Sequence, residues 1–273
     1  MTAKDQREFW DQEAVVYASG EGERGFGRFI ALYEESCWRY IETVLPEVEE
    51  STILEAGCGT GRWVVRLASM GYRVVLSDLS PEMIRHARAK VERLGLSDRV
   101  AAYHVLDICD MHTLSEASFD LVLALGGPLS LCRDARMAVS ELCRVTKPGS
   151  YVICDGANRY RTTLDLFREK ELSQLVKVLE TGQFSRPNGL TDHRFGPQEL
   201  ADLFEARGME VLHLAAVCPL FDYLPGEEQR RLLDNEQVFE LMLDVGRRYA
   251  EDTSVVGLSG RLLIVVRRQE QRP

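Results

Sequence analysis

Between residues 52 and 68 a short apolar run gives way to glycine at every second position and then to a helix-like pattern. Thr52-Ile53-Leu54-Glu55-Ala56 reads as a buried parallel strand. Gly57, Gly59 and Gly61 read as a tight loop, and Arg62 to Ala68 as a helix that stops near Gly71. A strand, a glycine loop and a helix N-terminus bring backbone N–H groups up to a ligand. Glycine serves where the chain turns sharply or where a side chain would block that approach. The dinucleotide fingerprint G-x-G-x-x-G does not fit, because its third glycine falls on Arg62.

Beyond the loop, strand and helix patterns alternate. Strands are expected at 72–77, 100–106, 119–125 and 151–154, and Asp78, Asp107 and Gly126 follow the first three. Ser80 suits an N-cap, Pro81 the first helical position and Glu82 the N-terminal dipole; Gly95 closes that helix. Lys147-Pro148-Gly149 fits a type II turn ahead of the fifth strand. Such alternation predicts an α/β fold, a doubly wound, Rossmann-like, seven-stranded and mostly parallel sheet with helices on both faces. Ligands of such sheets bind beyond the carboxyl ends of the strands. Gly57–Gly61, Asp78, Asp107-Ile108, Gly126–Pro128 and 155–160 therefore converge on one edge.

Two segments interrupt the pattern. About 156–190 carries an amphipathic helix over 164–179 followed by a polar loop to His193, and 219–254 carries Leu232, Phe239, Met242 and Tyr249 along one face. A core helix from Pro197 and strands at 210–217 and 261–266 complete the chain. Ahead of the sheet, helices are expected at 4–17 and 29–45, separated by a Gly- and Glu-rich break at Gly20–Gly27. The expected division is an N-terminal helical cap over 1–50 and a core domain over 51–273 with both insertions.

The run E-x-G-x-G-x-G from Glu55 to Gly61 resembles motif I of the class I S-adenosylmethionine (SAM)-dependent methyltransferases. Asp78 matches the family's ribose-binding acid and Asp107-Ile108 its adenine-reading position. Phe119 to Pro128 resembles the fourth-strand motif, and Glu141 to Gly149 the helix and turn before strand five. His193 to Gly208 resembles the segment before strand six. Within the superfamily the chain is similar to the type 11-like branch that includes ubiquinone and menaquinone methyltransferases.

The resemblance implies SAM as cofactor and S-adenosylhomocysteine (SAH) as product, held by Glu55, Gly57, Cys58, Gly59, Gly61, Asp78, Leu79, Asp107, Ile108 and Leu125. It places substrate contacts at Asn158, Arg159, Tyr160 and His193, with His193 and Tyr160 as catalytic candidates; the same residues could instead cap the inserted helix. N-terminal helices of small-molecule members often cover the cofactor, a role open to Trp10 and Tyr17, which could equally be packing aromatics. The fourth strand ends in Gly126-Gly127-Pro128, unlike enzymes that methylate nucleobase amino groups. No metal cluster can be read. The acceptor atom (O, N, S or C) stays open. The other readings are a non-catalytic SAM-binding partner and a nicotinamide-dependent oxidoreductase, the latter disfavoured by Arg62.

Charge sets the expected partners. The formal net charge is −10, against a general grip on a phosphate backbone. A small-molecule acceptor is expected, with no nucleic acid and no membrane, on a monomer or homodimer. Seven cysteines form no C-x-x-C pair and mostly sit in apolar runs, where free cysteine behaves as a small hydrophobe. With no apolar signal segment over residues 1–10, these features imply a cytoplasmic setting.

Overall fold

The computed structural model of the chain describes residues 3–18, 28–221 and 226–270. The Gly20–Gly27 break lies outside them. Helices α1 (Ala3–Ala18) and α2 (Phe29–Ile41) precede β1 (Thr52–Ala56), α3 (Trp63–Ser69), β2 (Arg73–Asp78), α4 (Pro81–Arg93) and β3 (Val100–Val105). Then come β4 (Phe119–Ala124), α5 (Pro128–Leu131), α6 (Ala135–Val145) and β5 (Thr146–Ala157). The first inserted segment holds α7 (Arg159–Glu169), α8 (Leu175–Thr181) and the hairpin β6 (Gln183–Ser185) and β7 (Thr191–His193). It leads to α9 (Pro197–Glu205), β8 (Met209–Val217), α10 (Gly226–Leu233), α11 (Glu236–Tyr249), α12 (Thr253–Leu258) and β9 (Arg261–Arg268).

The seven-stranded sheet has the order β3-β2-β1-β4-β5-β9-β8. β1 to β5 run parallel, while β9 lies antiparallel to both β5 and β8. Side chains alternate across the strands and both faces are covered, so the central strands read as unbroken apolar runs. Ile53, Leu121, Leu123, Ile153, Leu263 and Val265 pack with α2, α3 and α4 on one face. Leu54, Val122, Val152, Leu262, Ile264 and Val266 pack with α6 and α9 on the other. Six of the seven cysteines are buried and none is paired.

Local chemistry sets the helix ends. Ser80 Oγ accepts the Met83 N–H at 3.1 Å and Pro81 opens α4. Asp134, Asn158, Asn235 and Asp252 cap α6, α7, α11 and α12 in the same way.

Three features differ from the expectation. Lys147-Pro148-Gly149 lies inside β5 as a bulge: Phe119 faces Thr146 but Leu121 faces Tyr151, with Gly149 at φ 80°. The single helix expected over 164–179 is two, because Lys170 adopts a left-handed conformation at φ 61° and ends α7. The expected polar loop is the β6–β7 hairpin, whose buried Asp192 accepts from Arg186 at 2.5 Å and Arg194 at 2.8 Å. The second segment packs its Leu233 and Phe239 into the core beside Leu32 and Trp38 of α2. No helix among the described residues is long and apolar enough to cross a membrane.

Candidate functional site

The carboxyl ends of β1 and β2 and the loops after β3 and β4 meet around one pocket, with α1 along its side. Its floor is the glycine loop. Gly57 holds φ 68°, and a Cβ there would come within 2.6 Å of the Pro128 Cβ, so the loop packs directly on the proline ring that opens α5. Gly59 holds φ 55°, and a Cβ there would meet no atom within 4 Å, the geometry of a surface left open to a ligand.

Glu55 anchors the loop from beneath. It is 2% exposed, and its two carboxylate oxygens accept the Trp63 N–H at 3.2 Å and the Val64 N–H at 2.9 Å. It thus caps α3, whose own N-cap residue Arg62 offers no side-chain acceptor. Burial pushes the Glu55 carboxyl up to about 7, against the pull of those two N–H groups.

Asp78 ends β2 and ties two loops together. Its Oδ2 accepts the Gly59 N–H at 2.8 Å and its Oδ1 the Ser80 N–H at 2.9 Å. Burial raises its carboxyl above the usual range although the backbone N–H groups oppose this. Each oxygen accepts one such bond and keeps acceptor capacity for a ligand. Asp107 is likewise held on both oxygens. Its Oδ1 accepts the Cys109 N–H at 2.8 Å, and its Oδ2 accepts Arg133 Nε at 2.9 Å.

Helix α1 closes the side of the pocket with Gln6, Trp10 and Tyr17. Gln6 Nε2 donates to the Leu131 carbonyl at 2.7 Å, and Ser80 Oγ donates to Asp11 Oδ1 at 2.5 Å. These contacts bind α1 to opposite walls.

Nine expected cofactor residues, Glu55, Gly57, Cys58, Gly59, Asp78, Leu79, Asp107, Ile108 and Leu125, line this pocket. Gly61 does not: a Cβ there would press on Val64 at 3.0 Å and Ala87 at 3.3 Å, so it serves the packing of α3 on α4. Sequence reasoning missed Gln6, Asp11, Arg62, Met83, Leu131 and Cys132. Only Arg62, directly after the loop motif, carried a local signal.

The four expected substrate residues lie elsewhere. Asn158 is fully buried, donating to the carbonyls of Val256 at 3.0 Å and Gly257 at 3.1 Å while accepting the Tyr160 N–H. Arg159 pairs with Glu199, and His193 Nε2 lies 2.7 Å from Glu199 Oε1. Despite burial, His193, the Gly196 N–H and Arg159 hold the Glu199 carboxyl below its ordinary value. Tyr160 is about half exposed beside Gly196. These side chains join α7, β7 and α9 rather than reaching the glycine-loop pocket.

The family model described as "Methyltransferase domain" matches residues 53–149, the span that builds the floor and both acids. Those residues form a class I SAM-dependent methyltransferase domain. This methyltransferase is 25% identical over 244 residues to the tRNA 5-carboxymethoxyuridine methyltransferase of Escherichia coli, covering 88% of this chain and 89% of that one. It is 30% identical over 153 residues to the malonyl-[acyl-carrier protein] O-methyltransferase of Salmonella typhimurium, spanning about half of each chain (54% and 56%). Among solved structures, a SAM-dependent methyltransferase from Methanosarcina mazei shares the fold at TM-score 0.59 and 22% identity, over 85% of this chain and 98% of that one. A Haloferax volcanii methyltransferase solved with the Trm112 activator does so at TM-score 0.61 and 18% identity, over all of both chains.

These findings overturn one expectation. A partner set of small molecules alone, with no nucleic acid and only self-association, does not stand beside a tRNA methyltransferase matched along 89% of its length and a fold neighbour solved with an activator protein. The physical reason is that net charge is an average. The methyltransferase is acidic overall, yet Arg159, Arg186, Arg194 and Arg261 gather in the segments around the end of β5.

Proposed function

We propose that this methyltransferase esterifies a carboxyl group carried on RNA, the acceptor being a carboxylate-bearing modified uridine. The observation that carries this is the absence of a free base among the described residues lining the pocket. Among the described residues lining the pocket there is no histidine and no lysine. Glu55, Asp78 and Asp107 all accept backbone N–H groups. The Cys58 thiol is pushed well up by burial, and that of Cys132 by its hydrogen bond with Cys109 and by burial. An alcohol, thiol or protonated amine would have to lose its proton on attack, whereas a carboxylate is already ionised at neutral pH. The two groups of relatives point the same way: a carboxymethoxy group and a malonyl group each carry a carboxyl, one on tRNA and one on a carrier protein. RNA is preferred because that similarity runs the length of both chains.

The pocket suits the SAM that the family uses. Gly57 and Gly59 leave the backbone bare for close approach, and Asp78 keeps acceptor capacity for the two ribose hydroxyls. Leu79, Met83, Leu106 and Ile108 offer apolar walls for a purine, with Asp107 at their edge for its amino group. When bound, SAM supplies a methyl group from its sulfonium: the acceptor oxygen's lone pair forms the C–O bond as the C–S bond breaks, leaving a methyl ester and SAH. The chain's own part is to orient the reactants and, through α1, to exclude water.

The test uses methyl-labelled SAM, total tRNA and, separately, malonyl-carrier protein. Label should enter the RNA and leave it as methanol under mild alkali. Alkali-stable label refutes the carboxyl acceptor, and alkali-labile label on the carrier protein alone refutes RNA as the carrier.

A further inference from the structure

The first residue of β9 is an arginine that no sequence motif marks, and it lies beside the Gly126–Pro128 wall of the pocket. Arg261 pairs with Ala157 at the carboxyl end of β5, so it stands at the same sheet edge as the glycine loop. Its Nη1 donates to Asp155 Oδ2 at 3.1 Å. Asp155 is fully buried and spends its other oxygen on the Gly127 N–H at 2.7 Å, while Tyr33 Oη donates to Oδ2 at 2.7 Å. The guanidinium is therefore fixed from behind by a carboxylate that itself pins the Gly126-Gly127 turn.

Its front is unused. A Cβ on Gly127 would lie 2.8 Å from Nη1 and 3.5 Å from Nη2, so the fork lies flat over a residue flanked by Gly126 and Pro128, both of which line the pocket. Among the described residues neither Nε nor Nη2 of Arg261 makes a hydrogen bond, and 34% of the side chain is exposed against none of Asp155. The ring of Tyr33 lies 5.8 Å from Arg261 and 6.0 Å from Arg62, which lines the pocket. A planar fork with two donors to spare matches a carboxylate in shape and charge.

We infer that Arg261, braced by Asp155 and Tyr33, is the specificity-determining residue that receives the carboxylate of the methyl acceptor beside Gly126-Gly127. This rests on the esterification proposed above and goes beyond it by naming the receptor and its brace. A carboxylate oxygen held against the fork keeps a second lone pair with which to attack the methyl donor. An uncharged acceptor of the same shape would leave the fork without a partner, which is the basis of discrimination.

The experiment measures binding rather than turnover. SAH-loaded protein is titrated with malonate, with dimethyl phosphate as a probe for backbone phosphate, and with malonamide as the neutral control. Wild type should bind malonate and neither of the others. Arg261→Gln should weaken malonate at least tenfold, since hydrogen bonds to charged groups are the strong class, with SAH affinity unchanged. Because that variant strands the buried Asp155 charge, the paired change Asp155→Asn with Arg261→Gln removes both charges together, and it should show the same loss. Arg261→Lys, which keeps the charge and loses the fork, should fall between. Malonate binding that is absent from wild type or untouched in either variant overturns the inference, and so does a preference for dimethyl phosphate. The alkali-lability assay stands apart from these titrations, so esterification can fail while Arg261 still binds carboxylates, and the reverse.

Discussion

Alanine at Gly57 and at Gly59 separates what the loop does for the fold from what it does for the ligand. Both glycines have left-handed backbones, φ 68° and 55°. An L-residue there costs about 1–2 kcal/mol in either place. At Gly57 the new Cβ also lands 2.6 Å from the Pro128 Cβ, and forcing a methyl into a packed site adds about 1–3 kcal/mol. The sum is roughly 2–5 kcal/mol for Gly57→Ala, which at about 2–4 °C per kcal/mol lowers Tm by about 4–20 °C. Gly59→Ala lacks the overlap, since nothing lies within 4 Å, so its Tm should fall by only about 2–8 °C. Its methyl group instead occupies the surface a cofactor would use. SAH affinity should drop at least tenfold, about 1.4 kcal/mol. The assays are thermal melts without ligand and calorimetric titration with SAH. A folded Gly59→Ala protein with wild-type SAH affinity refutes the cradle, and a Gly57→Ala protein that melts with the wild type refutes the contact with Pro128.

Asp78→Ala removes the acceptor of two backbone N–H groups and of the proposed ribose bonds; SAH should bind about tenfold to a hundredfold more weakly by calorimetry, and unchanged affinity would reject the assignment. Glu55 has its folded pKa raised to about 7 from 4.5, so the native state binds its proton more tightly than the unfolded chain does. Its contribution is most favourable below the unfolded value and falls as pH rises from about 4.5 to 7, by about 3 kcal/mol. Glu55→Gln should flatten that part of the stability profile in urea titrations, and a slope identical to wild type would count against it. Asp11→Ala frees α1 from Ser80 at the start of α4; amide exchange over residues 3–18 should quicken in the SAH complex, and unaltered protection would show that α1 is held by packing alone.

The parts of the fold that were legible are those whose chemistry is local. Strands β1, β2, β4 and β9 are apolar runs because both sheet faces are covered, and the cap at Ser80-Pro81 declares itself within four residues. The glycine loop is legible for the same reason: its backbone demands are met by the residues that make it. What could not be read depends on distant chain. Asn158 looked available at the end of β5, but α12 arrives there from 98 residues on to occupy its amide. Asp155 finds its cation 106 residues away and its phenol 122 residues back. Hairpin β6–β7 has strands of three residues, too short to show a period. His193 precedes α9 and by position suits the active edge, yet Glu199, six residues on, claims its ring.

The position of β9 has a consequence for synthesis. The strand that sits between β5 and β8 leaves the ribosome after the other six strands of its sheet. Until it emerges, β5 has an unpaired edge and β8 has no neighbour, since both make their ladders with β9. Leu262 to Val266 are fully buried, so insertion closes both sheet faces in one event. A nascent chain can therefore assemble the glycine loop, Asp78 and Asp107 well before Asp155 meets Arg261. During translation the glycine-loop side of the pocket can form first, and the acceptor side proposed at Arg261 comes together only with β9.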